Sequence, residues 1–249
     1  MTRAFCDDCY FAHGLRTTDY FAGAVKGAIL SVNPNVVIVD ITHEIPAQDI
    51  QSGAFMLLAA YKTFPAGTIH VAVVDPGVGS SRRPIIVSAH DQFFVGPDNG
   101  IFSYICDREP SHQTVHVTAE NYFRPNPSST FHGRDIFAPV AAALSTVVTP
   151  EQFGPLIVDE VRLPSFETPL RIIHIDHFGN CVTNITRETF AGKSLSINGR
   201  TISALRNFYG EGDAKELFAI WGSAGFLEIS VNGGSAAQIL GAKRGDTIT

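Results

Sequence analysis

Apolar residues recur at helical spacing between Tyr20 and Val32, at Val25, Ala28, Ile29 and Val32, and Asn33-Pro34 ends the run. "VVIVDI" (36–41) follows as a strand expected to be buried. Asp49 is placed to cap a second helix, "IQSGAFMLLAAYKTF", which Pro65 and Gly67 stop. "TIHVAVV" (68–74) is the next strand, and "PIIVSA" and "QFFV" flank His90-Asp91 as a hairpin. "RDIFAPVAAALSTVV" (134–148) predicts a last long helix. Helices alternating with strands imply a largely parallel α/β sheet covered on both faces.

The pattern changes at "RLPSFETPL" (162–170), which carries two prolines and breaks both periodicities. The expected organisation is an α/β N-terminal domain over 1–162, a linker over 163–170 and a smaller β domain over 171–249. In the second domain, "RIIHID", "CVTNI", "LFAIW" and "FLEISV" are short β-type runs separated by Gly and Asn, a pattern that suits an all-β barrel or sandwich. The opening segment "FCDDCYFAHG" has no clean strand pattern.

Composition narrows the class. The 249 residues are 45% hydrophobic and 17% charged, which predicts a folded, core-rich protein. A net charge of −6 argues against a nucleic-acid partner, which calls for a basic face. No apolar run reaches membrane-spanning length, and Asp7 and Asp8 stand where a signal peptide needs an apolar stretch, so the expected location is cytoplasmic. Cys6 and Cys9 form a C-x-x-C without the second ligand pair of a structural zinc site. With Cys106 and Cys181 they read as unpaired thiols in a reducing compartment, and no metal is assigned.

Polar residues gather just after the apolar runs: Asp40 and His43, Asp75, Asp98 and Asn99, His132 with Asp135, and Asp176 with His177. In open α/β sheets the crevice beyond the strand ends is the usual ligand site. Asp40 and His43 read as loop bridges and Asp135 as a helix cap. The G-x-G of "PGVGS" lacks the rest of a nucleotide fingerprint. A carboxylate, a guanidinium and an imidazole together suit the orientation and deprotonation of a water, and the same acids and histidines suit two divalent metals. The residues alone leave these two readings open.

Five motifs carry a resemblance. "AVKGAILSVNPNVVIVDITHEIPAQDI", "TIHVAVVDPGVGSSRRPI", "FVGPDNG", "FHGRDIFAPVAA" and "IDHFGNCVTNI" closely resemble the S-adenosyl-L-methionine (SAM) hydroxide adenosyltransferases, hydrolytic relatives of fluorinase and chlorinase. The resemblance runs from about Asp19 to the C-terminus. It implies hydrolysis of SAM to adenosine and L-methionine by a homotrimer, with SAM held between the N-terminal domain of one subunit and the C-terminal domain of its neighbour. No metal or other cofactor is implied.

By motif, the implied catalytic trio is Asp75, Arg82 and His132, and which of Asp75 and His132 is the base stays open. Asp19 is implied to bind the ribose hydroxyls, Asp176 the methionine ammonium and Ser223 its carboxylate. Phe178 and Asn180 are implied at the adenine, with Asn232 and Gly233 along its edge. Without the resemblance, Phe178 reads as a core aromatic. Halogenases of this group carry Tyr where this chain has Asp75, and the fluorinase carries Ser at the place of Gly133, so both positions favour hydrolysis. Relatives begin with an apolar strand leading into "TDFG"; here Ala12 or Gly14 occupies the place of that acid. The competing readings are a SAM-dependent halogenase, a metal-dependent hydrolase and a non-catalytic nucleoside-binding trimer.

Overall fold

A computed structural model describes the backbone of residues 8–13 and residues 19–249 apart from 147, 165 and 193. Cys6, Asp7 and Gly14, and the side chains of Asp8, Cys9 and Ala12, lie outside the described residues. The chain divides into two compact units, Met1–Leu163 and Pro164–Thr249.

The first unit is built on a seven-stranded sheet. Its strands are β1 (Asp8–His13), β2 (Val37–Thr42), β3 (Ile69–Val73), β4 (Pro84–Ala89), β5 (Gln92–Pro97), β6 (Gln113–His116) and β7 (Leu156–Ile157), in the order β2-β1-β3-β5-β4-β6-β7. The first four in that order run parallel, but β4 pairs antiparallel with both β5 and β6, and β7 pairs antiparallel with β6. The sheet is therefore mixed rather than largely parallel. The two-residue turn at His90-Asp91, where both residues have positive φ, can join only antiparallel strands.

Two further expectations change. The segment "DCYFAH", which shows no strand period, forms β1 and lies between β2 and β3. The run "VVIVDI" forms the edge strand β2 with Val37 and Val39 exposed, instead of a strand buried on both faces.

Helix α1 (Phe21–Leu30) buries Ala22, Val25, Ala28 and Ile29, one stripe at helical spacing. It packs on α4 (Ala138–Leu144), which is buried on every side and whose alanines permit close approach. Burying each Val or Ile of this shared core contributes roughly 1.5–3 kcal/mol. Helix α2 (Ile50–Ala60) starts as expected, with the Asp49 side chain accepting from Ser52 N at 3.0 Å. A short helix α3 (Ser103–Arg108) precedes β6. The predicted helix from 134 begins instead as a π-helical turn over Gly133–Phe137 and becomes α-helical only at Ala138. Among the described residues, no helix is long and apolar enough to cross a membrane.

His70, on β3, is fully buried, stacked on Phe94 at 4.8 Å, with Nε2 3.0 Å from Gln92 Oε1. Burial pushes its pKa down to about 4. An unfolded chain protonates histidine near 6.5, so the stability due to neutral His70 is fully present above that pH and is lost as pH falls towards 4. The loss amounts to roughly 3 kcal/mol. Denaturant midpoints across that range should fall for the native chain and fall less steeply for His70→Phe. Equal slopes would exclude His70 as the source.

The second unit holds a five-stranded mixed sheet and a hairpin. Its strands are β8 (Ile172–Ile175), β9 (Cys181–Thr183), β10 (Leu195–Ile197), β11 (Arg200–Ile202), β12 (Leu205–Arg206), β13 (Leu217–Trp221) and β14 (Leu227–Val231). The sheet order is β12-β13-β14-β9-β8, and β10-β11 is the hairpin packed on the same core. Helix α5 (Ala236–Leu240) follows, so the unit is not all-β, and no pairing among the described residues joins β12 to β8 to close a barrel.

Candidate active site

Strand β3 delivers Asp75 at its carboxyl end, and the chain turns through 75–82 before entering β4. Gly79 sits in this loop with φ +78°, and a Cβ there would lie 2.2 Å from the Ser129 carbonyl oxygen. Only glycine admits that approach, which packs the loop against the segment carrying His132. From the other side, Asp135 accepts from Ser128 N at 2.9 Å and from Arg134 Nε at 2.6 Å. Asp135 thus braces the 128–132 segment from inside the π-turn rather than capping the helix.

The result is a cluster in which the Asp75 and Arg82 side chains are largely enclosed and His132 is half-buried. Arg82 Nε donates to Asp75 Oδ1 at 2.9 Å and Nη2 donates to Asp75 Oδ2, a bidentate pair. The same Nη2 lies 2.7 Å from His132 Nδ1. Because a guanidinium only donates, Nδ1 is the acceptor and the neutral ring carries its hydrogen on Nε2. Burial and the Arg82 charge push the His132 pKa below the ordinary histidine value, which keeps the ring neutral near pH 7. Arg82 lies over Phe137 at 5.1 Å, and its Nη1 is buried with no hydrogen-bond partner among the described residues.

Arg83 faces elsewhere: Nε donates to the buried Asp98 at 2.7 Å and Nη1 to Asp159 at 2.8 Å. Asp98 also accepts from Val161 N, and Asn99 donates to Val74 O, so both brace the strand ends. Asp40 accepts from Lys26 and lies 3.0 Å from His43 Nε2, the loop bridge that the sequence pattern favours. Asp19 is exposed beside Tyr20, whose ring stacks on Phe21.

The second unit contains a cavity of about 620 Å³. Asp176, Phe178, Asn180, Ser223 and Gly233 line it, five of the residues that the motifs single out. Asp176 Oδ1 accepts from the main-chain N–H groups of Phe178 and Asn180, and Oδ2 accepts from Asn180 Nδ2 at 2.8 Å. The carboxylate is fixed in position while keeping acceptor capacity for a ligand. Phe178 is 75% exposed and is no core aromatic; the ring is presented to solvent at the cavity. Asn232 is not among the lining residues, since its Nδ2 donates to the Gly212 carbonyl at 2.9 Å.

Tyr209 and Glu228 also line the cavity, and sequence reasoning missed them. Tyr209 Oη donates to Glu228 Oε2 at 3.1 Å. Burial and the nearby Asp176 charge raise the Glu228 pKa, against the opposing hydrogen bond from Tyr209. The available signal was a charged residue in the middle of the apolar strand "FLEISV", which invited a core reading.

Comparisons with known proteins give one answer over both units. Residues 15–154 match the SAM hydroxide adenosyltransferase N-terminal domain, and residues 170–249 match the C-terminal domain of the same family. The (R)-S-adenosyl-L-methionine hydrolase of Thermus thermophilus is 35% identical, over 95% of this chain and 96% of that protein. A fluorinase of Nocardia brasiliensis is 26% identical over 71% of this chain and 70% of its own length. A crystal structure of an uncharacterized conserved protein from Thermotoga maritima superposes with a TM-score of 0.90 at 32% identity, covering 97% of this chain and 98% of that one. The order of the motifs, the two matched domains and the Asp–Arg–His cluster agree: this chain belongs to the SAM hydroxide adenosyltransferase family.

Proposed function

We propose that this protein hydrolyses S-adenosyl-L-methionine to adenosine and L-methionine, with Asp75, Arg82 and His132 acting on the attacking water. The observation that carries this reading is the bidentate Arg82–Asp75 pair with His132 Nδ1 held on the same guanidinium nitrogen. The water oxygen forms a bond to C5′ as the C5′–sulfur bond breaks. The bonding pair returns to sulfur, which leaves as a neutral thioether and needs no proton. The enzyme's tasks are therefore in-line positioning and a hydroxide-like nucleophile.

Arg82 Nη1, which has no hydrogen-bond partner among the described residues, and the His132 Nε2–H both donate to that oxygen and stabilise its developing negative charge. His132 already spends its lone pair on Arg82, so Asp75 takes the water proton through a remaining carboxylate lone pair and passes it to solvent. A carboxylate in this place also repels halide, which disfavours a halogenase. The reaction uses no metal or cofactor.

In the second unit, Asp176 receives the methionine ammonium and Ser223 its carboxylate, while Phe178 stacks on adenine with Asn180 and Gly233 beside it. Asp19 binds the ribose hydroxyls. Asn232 acts indirectly, through its hold on Gly212. The working form is a homotrimer in which neighbouring copies jointly serve each substrate. Its place of work is the cytoplasm, where the buried thiols Cys106 and Cys181 stay reduced.

The test is incubation with SAM in halide-free buffer containing chelator, with chromatography of the products. Equimolar adenosine and methionine are expected. Turnover that requires halide, or adenosine bound without SAM cleavage, would overturn the reading.

A further inference from the structure

Away from the catalytic cluster, three side chains from separate segments of the first unit converge. Cys106 lies in the last turns of α3, His112 in the turn before β6, and Glu160 in the chain after β7. Their ligand atoms lie within 4.8 Å of one another, and Cys106 is buried. The geometry points to a zinc site formed by Cys106 Sγ, His112 Nε2 and a Glu160 carboxylate oxygen, with the fourth position open to water.

His112 Nδ1 is 2.9 Å from the Glu109 carbonyl oxygen, which also accepts from the His112 main-chain N–H. Nδ1 must therefore carry hydrogen. Nε2 is 3.3 Å from Glu160 Oε1. With hydrogen on Nδ1, the lone pair of Nε2 faces Glu160 Oε1, and two such acceptors at this distance must share either a proton or a cation.

Two features favour the cation. Tetrahedral zinc bonded to nitrogen and oxygen at about 2.0–2.1 Å separates those atoms by about 3.3 Å, the spacing found here. A thiol also stands beside the pair, and mixed sulfur, nitrogen and oxygen donors suit zinc, whereas magnesium and calcium take oxygen. The Nδ1–H hydrogen bond to a carbonyl fixes the ring in the way common for zinc ligands. Arg162 opposes a cation: its Nε lies 3.1 Å from the same Glu160 Oε1, so binding has to turn the guanidinium towards Asp107, 3.2 Å from its Nη1.

The experiment is metal analysis of the full chain after exhaustive dialysis, followed by titration of stripped protein with Co²⁺ and competition by Zn²⁺. One zinc per chain is expected, and a thiolate-to-cobalt charge-transfer band that is lost in Cys106→Ser and in His112→Gln. The double variant Cys6→Ser/Cys9→Ser should keep the band. Chelator should lower the Tm of the native chain by several degrees and leave that of Cys106→Ser unmoved, with hydrolysis by Cys106→Ser unchanged. If the native chain binds no stoichiometric metal, the contact between His112 and Glu160 is an ordinary side-chain hydrogen bond and the proposal fails. It fails equally if Cys106→Ser keeps the band, or if only the Cys6/Cys9 variant loses it.

Discussion

Asp75→Asn and His132→Ala are each expected to lower kcat by about a hundredfold or more, the scale for removing one positioned proton-transfer or hydrogen-bonding group. Asp75→Asn keeps the shape of the side chain and removes the charge that we propose takes the proton. His132→Ala removes the ring that shares Nη2 of Arg82. The two variants differ in pH dependence. With the native chain, the acid limb should fall only below the ordinary histidine range near 6.5, because burial and the Arg82 charge lower the His132 pKa. The sign for stability agrees: neutral His132 stabilises above the unfolded-state value, and this contribution is lost as pH falls through the folded-state value. In His132→Ala that limb should disappear from the residual activity. Near-native turnover in both variants, with the fold intact by circular dichroism, would remove the trio from the mechanism.

The adjacent arginines should separate just as sharply. Arg82→Lys retains a charge but loses the fork that binds Asp75 through two nitrogens while holding His132. A kcat loss of about 10²–10³ is expected, comparable to deleting a donor that stabilises the transition state. Arg82→Met would also strand the Asp75 carboxylate, at a cost to stability of about 3–5 kcal/mol, so lysine is the cleaner probe. Arg83→Met should leave kcat within about threefold, since ordinary surface and bracing contacts do not touch the reaction, while lowering Tm because Asp98 is 5% exposed and loses its cation. Normal turnover in Arg82→Lys beside an inactive Arg83→Met would transfer the role to the second arginine.

These assignments show where the sequence was informative. Asp75 and Arg82 are seven positions apart across a glycine-bearing turn, a local spacing that a linear reading can join. His132 is fifty positions further on, and only the motif resemblance tied it to them. The capping of α2 by Asp49 and the His90-Asp91 hairpin were legible because each depends on a few neighbouring residues. The mixed sheet was less legible: β4 inserts between β5 and β6, a choice made by strand pairing and not by local periodicity. Asp135 suits a cap by residue type, yet the π-turn places it inside, where Ser128 and Arg134 satisfy it. Glu228 was hidden because an apolar strand around one acid reads as core until the cavity at its side is known.

Strand β1 carries a consequence of a different kind. It leaves the ribosome before β2 and β3, yet it lies between them, and β1 is the partner that β2 has in the sheet. The parallel half of the sheet thus grows outwards from β1 on both sides: β2 can pair with it once residue 42 is made, but the other edge of β1 stays open until the chain has passed residue 73. Such non-local closure slows folding, and it makes that open edge of β1 a stretch that a chaperone would have reason to shelter.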